Sequence, residues 1–277
     1  MRHWGLLLLG CLLSAPAGAG ETLVAIPHQG MDRSVVVATP DGPGPFPLII
    51  GLHGAGQTGA RQRAGLAIDA VALPAGYAIA FPDGVSGRWQ YSRPNLRGPE
   101  APTMMPDGAP IDDRAFVEAL AARLVALGIA DPHRLYLTGF SVGALMTLSA
   151  GCGAPMTWAA IAVLAGGITD LLQPGCAAGP PLPTLFVIGD EDRTFPVTGF
   201  VNPRGRMLSQ SESLAIMATR QGCTPGQERP APDGFLITEA VGCAAGAAAL
   251  ARLPGQGHSE APGTVALIID FFSRYRR

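Results

Sequence analysis

Short apolar runs and longer stretches of helical spacing alternate along the chain, with Gly or Pro at nearly every junction. The runs lie at Leu23–Ile26, Ser34–Thr39, Leu48–Leu52, Tyr77–Phe81, Arg134–Leu137, Ile161–Leu164, Thr184–Ile188 and Leu250–Leu253. Runs this short, bounded by turn residues, predict strands. The later ones are nearly continuous in apolar character, as strands of a parallel sheet covered on both faces must be. Between them, Asp112–Leu127, Val142–Ala150, Ser209–Gln221 and Gly263–Arg274 carry helical spacing, the first opened by an Asp that can cap it. Strand then helix, repeated, predicts an α/β fold with right-handed crossovers. The first two runs are joined too briefly for a helix and are expected to pair antiparallel at one edge of the sheet. No internal repeat or interdomain linker interrupts the pattern. Arg88–Pro110, rich in Pro, Gly and Met, is expected to form a long loop of the kind that often carries function.

Composition narrows the partners. With 48% hydrophobic residues, 14% charged residues and a formal net charge of -2, the chain reads as globular, with no cation excess to neutralise a phosphate backbone. Nucleic acid is not an expected partner. All 19 cations are Arg, which removes lysine Schiff-base chemistry. Residues 1–19 are set apart: Arg2 and His3 open them, Leu6–Leu13 is apolar, and Ala17-Gly18-Ala19 supplies small residues at cleavage spacing. This predicts a secretory signal cut after Ala19, leaving residues 20–277 as one catalytic domain. The apolar run is well short of the ~20 residues of a membrane span. Leu8-Leu9-Gly10-Cys11 resembles a lipobox, but cleavage there would leave an apolar core under the usual ~7 residues. Soluble export, to the periplasm or beyond, is therefore expected over a lipoprotein.

Removing the signal leaves Cys152, Cys176, Cys223 and Cys243, an even number that predicts two disulfides in an exported chain. The pairing Cys152 with Cys176 and Cys223 with Cys243 is favoured because it closes short loops; the arithmetic permits two other connectivities. No cysteine has a second Cys or a His at zinc-site spacing, so no metal is expected, and no cofactor.

The candidate chemistry begins at Gly139-Phe140-Ser141-Val142-Gly143. With 37 glycines in the chain, such a pentapeptide is weak alone. Its place after a predicted strand and before a predicted helix is the context of a nucleophile elbow, where small flanking residues let a serine stand exposed above the sheet. Of five histidines, His3 leaves with the signal, His28 precedes the sheet, His133 sits at the wrong end of the serine strand, and His53 lies in another loop. His258, in a Gly-rich loop after the last predicted strand, is the candidate base. Gly189-Asp190-Glu191-Asp192 offers the carboxylate; Asp192 is chosen, with Asp190 in reserve. The order Ser, Asp, His is that of α/β-hydrolases. Backbone N–H groups of Val142 and of Ala55, with Gly54 as an alternative, are the candidate oxyanion donors. His53 is expected to buttress that loop rather than to ionise.

These residues resemble a family of exported esterases, the poly(3-hydroxybutyrate) depolymerase-like enzymes, related to feruloyl and acetyl xylan esterases of carbohydrate esterase family 1. The resemblance runs from about Arg33 to Phe272. It is carried by LHGAGQ at Leu52–Gln57, FPDG at Phe81–Gly84 with Trp89 after it, Asp112-Asp113, DPHRLYLTGFSVG at Asp131–Gly143, the GDED turn, GQGH, and Gly222-Cys223 with Gly242-Cys243. It implies an α/β-hydrolase fold and a serine esterase acting on small or oligomeric esters. The chain departs from the pattern at Val142, and at Ser259-Glu260-Ala261-Pro262 where a Trp often follows the histidine. Trp89, Tyr91, Met104, Met105 and Phe195 are expected to line the substrate pocket by position and apolarity, with packing in the core or a lid an equal alternative for each. A peptidase on the same fold, or a silent exported binding protein, is the alternative the motifs leave open, and nothing in the sequence fixes an oligomeric state.

Overall fold

A computed structural model describes residues 20–91, 108–203, 205–244 and 246–277. The expected signal at 1–19 lies outside these residues, as do Met104 and Met105. In chain order the elements are β1 (Gly20–His28), β2 (Met31–Thr39), β3 (Phe46–Leu52), α1 (Gly59–Leu66), α2 (Asp69–Ala72), β4 (Ala78–Ala80), α3 (Asp113–Ala126), β5 (Ala130–Phe140) and α4 (Val142–Gly153). Then come β6 (Ala160–Leu164), α5 (Gln173–Ala177), β7 (Thr184–Gly189), β8 (Phe200–Asn202), β9 (Gly205–Met207), α6 (Gln210–Arg220), β10 (Thr224–Pro230), β11 (Leu236–Val241), β12 (Ala248–Leu253) and α7 (Thr264–Ser273).

Ten of the described strands form one sheet in the order β1-β2-β4-β3-β5-β6-β7-β12-β11-β10. The central strands from β4 to β12 pair in parallel. β1 pairs antiparallel with β2, and β2 with β4, closing one edge; β11 and β10 close the other antiparallel. The period-2 alternation of a strand splits the apolar residues between two cores. Leu48, Ile50, Leu137, Val163 and Phe186 face α3, α4 and α6, whereas Ile49, Tyr136, Ala162, Leu185 and Val187 face α2 and α7. Both faces of the central strands are therefore buried, which is why their sequences read as unbroken apolar runs.

α1, α3 and α6 begin where the chain supplies side-chain caps. Asp112 accepts from the Ala115 N–H at the start of α3, and Ser209 forms a reciprocal capping box with Glu212 at the start of α6. Three helices and the strands β8 to β11 have no counterpart among the predicted elements. β10 reads TPGQERP, almost wholly exposed and carrying two prolines, so no alternation marks it; its pairing to β11 makes it a strand. α1 reads GARQRAGL, with two glycines and no broad apolar stripe.

The cysteines pair Cys152–Cys176 and Cys223–Cys243, 24 and 20 residues apart in sequence. The first ties the last turn of α4 to α5; the second ties the start of β10 to the turn after β11. A cross-link closing a loop of this size stabilises a fold by ~3 kcal/mol, through the freedom it removes from the unfolded chain. Replacing Cys152 and Cys176 together by Ala is expected to lower the unfolding free energy in urea by about that ~3 kcal/mol relative to the oxidised protein. Coincident urea transitions for the two proteins would show that the cross-link contributes nothing.

Candidate active site

Four loops leave the carboxyl ends of β3, β5, β7 and β12 on one rim of the sheet. In open α/β sheets this rim is where ligands bind. The loop after β5 turns at Ser141, whose backbone sits at φ 57° and ψ -119°, a left-handed conformation that a residue with a Cβ avoids. Close packing explains why its neighbours are glycine. A Cβ on Gly143 would lie 2.2 Å from the Leu52 carbonyl oxygen, and one on Gly139 would lie 2.3 Å from the Gly143 carbonyl oxygen. The Ser141 N–H donates to the Leu164 carbonyl at 2.9 Å, fixing the turn against β6.

The loops after β7 and β12 are joined to each other. Glu191 N–H donates to the Gln256 carbonyl at 2.9 Å, and a Cβ on Gly189 would meet that oxygen at 2.1 Å. This contact sets Asp192 beside His258. His258 Nδ1 lies 2.7 Å from Asp192 Oδ2, and His258 Nε2 lies 2.9 Å from Ser141 Oγ. The ionised carboxylate only accepts, so Nδ1 carries the proton and Nε2 is left to accept from the serine hydroxyl. Asp192 Oδ1 accepts from the N–H groups of Thr194 and Phe195, each at 2.8 Å, so the side chain is held on both oxygens and is wholly buried. Asp190 is engaged elsewhere, its Oδ1 paired with Arg252 at 2.9 Å. Phe140 and Phe195 flank the His258 ring at centroid distances of 5.0 and 5.5 Å.

The oxyanion candidates lie across Ser141. Val142 is the first residue of α4, so its N–H precedes any intrahelical acceptor and points out of the helix. Ala55 is exposed, whereas the N–H of Gly54 faces Gln62 Oε1 at 3.4 Å. Beneath this loop His53 is buried: its Nε2 accepts from the Gly84 N–H at 2.8 Å, so Nδ1 carries the proton donated to the Gly54 carbonyl at 2.7 Å.

Trp89 calls for a correction. Expected in the substrate pocket, it is 4% exposed, and its indole N–H donates to the His53 carbonyl at 2.9 Å. An amphipathic ring with a buried N–H needs an acceptor, and the His53 carbonyl draws it under the loop instead of into the cleft. Around it a buried ion pair joins Arg33 Nη1 to Asp113 Oδ1 at 2.7 Å; Arg33 also donates to the Asp83 carbonyl, and Asp113 Oδ2 accepts from the Gln90 N–H. Arg33 packs over the Phe116 ring. These contacts fix the Asp83–Gln90 segment under the cleft, a role that the motif residues Asp83, Gly84 and Asp113 did not reveal by type.

Tyr91 and Phe195 do line the cleft. A cavity of about 400 Å³ opens beside Val142, walled by Leu145, Phe195, Phe200 and Met207, and a second of about 480 Å³ extends over Arg114 and Cys152. Tyr91 and Leu171 border both, so the two adjoin as one trough, which meets the site at Val142 and Phe195.

No family model matches the chain. A protein of Nocardia uniformis subsp. tsuyamanensis named as an esterase, NocK, is 32% identical over 155 residues, which are 55% of this chain and 42% of that protein. The match thus spans less than half the length of that relative. Feruloyl esterase C of Emericella nidulans is 26% identical over 243 residues, 83% of this chain and 78% of its own. Among solved structures, the acetyl xylan esterase from Aspergillus awamori matches 91% of this chain and 99% of its own, with TM-score 0.66 at 14% identity. The chain has the α/β-hydrolase fold. The likeness to feruloyl esterase-like serine esterases carried by its motifs is matched by these relatives. In this α/β-hydrolase fold, among the described residues, no helix is long and apolar enough to cross a membrane.

Burial sets a pH limit on the loop beneath the oxyanion candidates. Desolvation holds the His53 ring below the usual histidine range, and protonation of Nε2 would break its bond from Gly84. The unfolded chain takes up that proton below about pH 6.5 while the folded one does not, so stability falls as pH drops through that point, by at most ~1.4 kcal/mol per pH unit for one group. His53→Gln, which can still accept from Gly84, is expected to flatten the fall in urea midpoint between about pH 7 and 5. Parallel losses in wild type and variant would assign the pH dependence to other groups.

Proposed function

We propose that the chain is an exported serine esterase that cleaves carboxylic esters by two-step acyl transfer. The observation that carries this reading is the unbroken series Ser141 Oγ, His258 Nε2, His258 Nδ1 and Asp192 Oδ2, at 2.9 and 2.7 Å, set on a strained elbow. His258 takes the Ser141 proton as Oγ attacks the ester carbonyl. Asp192 keeps the ring in its tautomer and stabilises the imidazolium. The N–H groups of Val142 and Ala55 receive the oxyanion, a contribution of ~10²–10³ in rate per donor where it has been measured. Collapse of the tetrahedral intermediate expels the alcohol, which takes the proton from His258. Water, deprotonated by the same ring, then releases the acyl group as a carboxylic acid.

The substrate reading follows from the shape and lining of the trough together with the relatives. Hydroxyalkanoate oligomers and feruloyl or acetyl esters are the proposed classes: each joins an apolar or flat group to polar ester and hydroxyl oxygens, and the trough sets the apolar Leu145, Phe195, Phe200 and Met207 beside the polar Thr169, Asp170 and Arg206. Feruloyl and acetyl xylan esterases among the similar proteins support this choice. Export is proposed from the signal-like residues 1–19, and the two disulfides support it.

Treatment of the mature protein with a fluorophosphonate is expected to add one label per chain, mapped to Ser141, and to stop turnover on a panel of acetyl, hydroxybutyrate-oligomer and feruloyl esters. Ser141→Ala is expected to remove both labelling and turnover with an unchanged circular dichroism spectrum. Turnover that survives in that variant would overturn the assignment.

A further inference from the structure

Gln62 lies in the middle of α1, 1% exposed, facing two of the loops that form the site. Its Nε2 donates to Glu260 Oε1 at 2.8 Å, and its Oε1 accepts from the Gly54 N–H at 3.4 Å. The orientation of the amide follows from chemistry. A carboxylate only accepts, so the NH₂ end must face Glu260, and the carbonyl end is left for Gly54. Glu260 is two residues past His258, and Gly54 immediately precedes Ala55. One buried side chain thus joins the loop that carries the base to the loop that carries the oxyanion donor, across 198 residues of sequence on the Glu260 side.

The element that carries Gln62 is itself fixed. A Cβ on Gly59 would lie 1.9 Å from the Phe81 carbonyl oxygen, and the Gly59 N–H donates to Asp83 Oδ1 at 2.6 Å, so α1 is seated against the segment beneath the cleft. The Gln62 N–H donates to the Thr58 carbonyl at 3.0 Å, closing the first helical turn. The amide therefore reaches both loops from a rigid base.

Resting on the esterase reading above, we propose that Gln62 is a positioning residue. By engaging the Gly54 N–H it leaves Ala55 as the oxyanion donor, and by holding Glu260 it fixes the distance between that donor and His258. The charge on Glu260 orients the amide. Ground-state binding in the trough does not pass through Gln62, whereas alignment of the donor with the developing oxyanion does.

The expected signature is a loss in kcat without a matching rise in KM. Gln62→Leu is expected to lower kcat by about ten- to a hundredfold with KM within about twofold, the scale of a misaligned donor. A trifluoromethyl ketone, which forms a tetrahedral oxyanion on the serine, should lose affinity by the same factor as kcat/KM. Gln62→Glu sets two carboxylates against each other and should also lower kcat. Combining it with Glu260→Gln reverses the polarity of the pair: the amide, now on the loop after β12, donates to the carboxylate, now on α1, whose second oxygen accepts from the Gly54 N–H. That double variant is expected to recover kcat to within about threefold of wild type, the remainder reflecting an imperfect fit. The swap conserves volume, so it decides the matter even where Gln62→Leu fails to fold. A Gln62→Leu enzyme with kcat within about twofold of wild type, or a folded swap that recovers nothing, overturns the coupling alone. A wild-type protein with neither ester turnover nor fluorophosphonate labelling overturns the esterase reading and the coupling with it.

Discussion

The geometry of the site depends on one strained residue. Ser141 holds φ 57° and ψ -119°, a conformation that costs a non-glycine residue ~1–3 kcal/mol and persists only where its surroundings over-determine it. The surroundings do so from three sides. Gly143 brings the first turn of α4 against the carbonyls of Leu52 and His53; Gly166 lets the strand end after β6 approach Ala144; and the Leu164 carbonyl accepts the Ser141 N–H. Relaxing the serine would separate α4 from β3, and with it the Val142 N–H from the loop that holds Ala55. The strain is thus what places the serine and the candidate donors around the same point above the sheet.

From that point outward the constraints are polar and buried. Asp192 is satisfied by two backbone N–H groups and one imidazole, His53 by one donor and one acceptor, and Asp113 by Arg33 and the Gln90 N–H. A half-satisfied network of this kind would be costlier than an apolar core. Complete, it fixes tautomers: a protonated Nδ1 on both His53 and His258, each dictated by an acceptor that cannot donate. The buried Arg33–Asp113 pair is poor evidence for stability, since desolvation offsets much of its Coulomb attraction. Its effect is on position, because it ties β2 and α3 to the segment that carries Gly84 and Trp89.

What the sequence disclosed follows the range of the interactions involved. The central strands were legible because burial on both faces leaves an unbroken apolar run, and α3, α4, α6 and α7 because helical spacing is a local signal, reinforced by caps at α3 and α6. β10 was not, since an exposed edge strand with two prolines exists only by its pairing. Ser141, Asp192 and His258 were named from strand ends and chain order, and the structure sets them in hydrogen-bonding series. The place of Trp89 was not legible, because an aromatic residue near a motif looks the same whether it faces a cleft or supports it. What decided its place, the carbonyl of His53 as acceptor for its N–H, is a contact across 36 residues.

The residues that hold the site in shape are scattered polar ones whose partners lie far along the chain: Arg33 with Asp113 at 80 residues, Gln62 with Glu260 at 198. No local pattern distinguishes such a glutamine from a solvated one on a helix. The chemistry and its alignment therefore sit at different levels of the sequence. Nucleophile, acid and base must each occupy a strand end, so the fold announces them in order. Alignment requires only that some buried polar group bridge two loops, and the fold allows many residues to do so. Divergence between chains of this fold is then easiest in this outer layer, where a change at Gln62 or Glu260 alters the spacing of donor and base while the three reacting side chains stay the same.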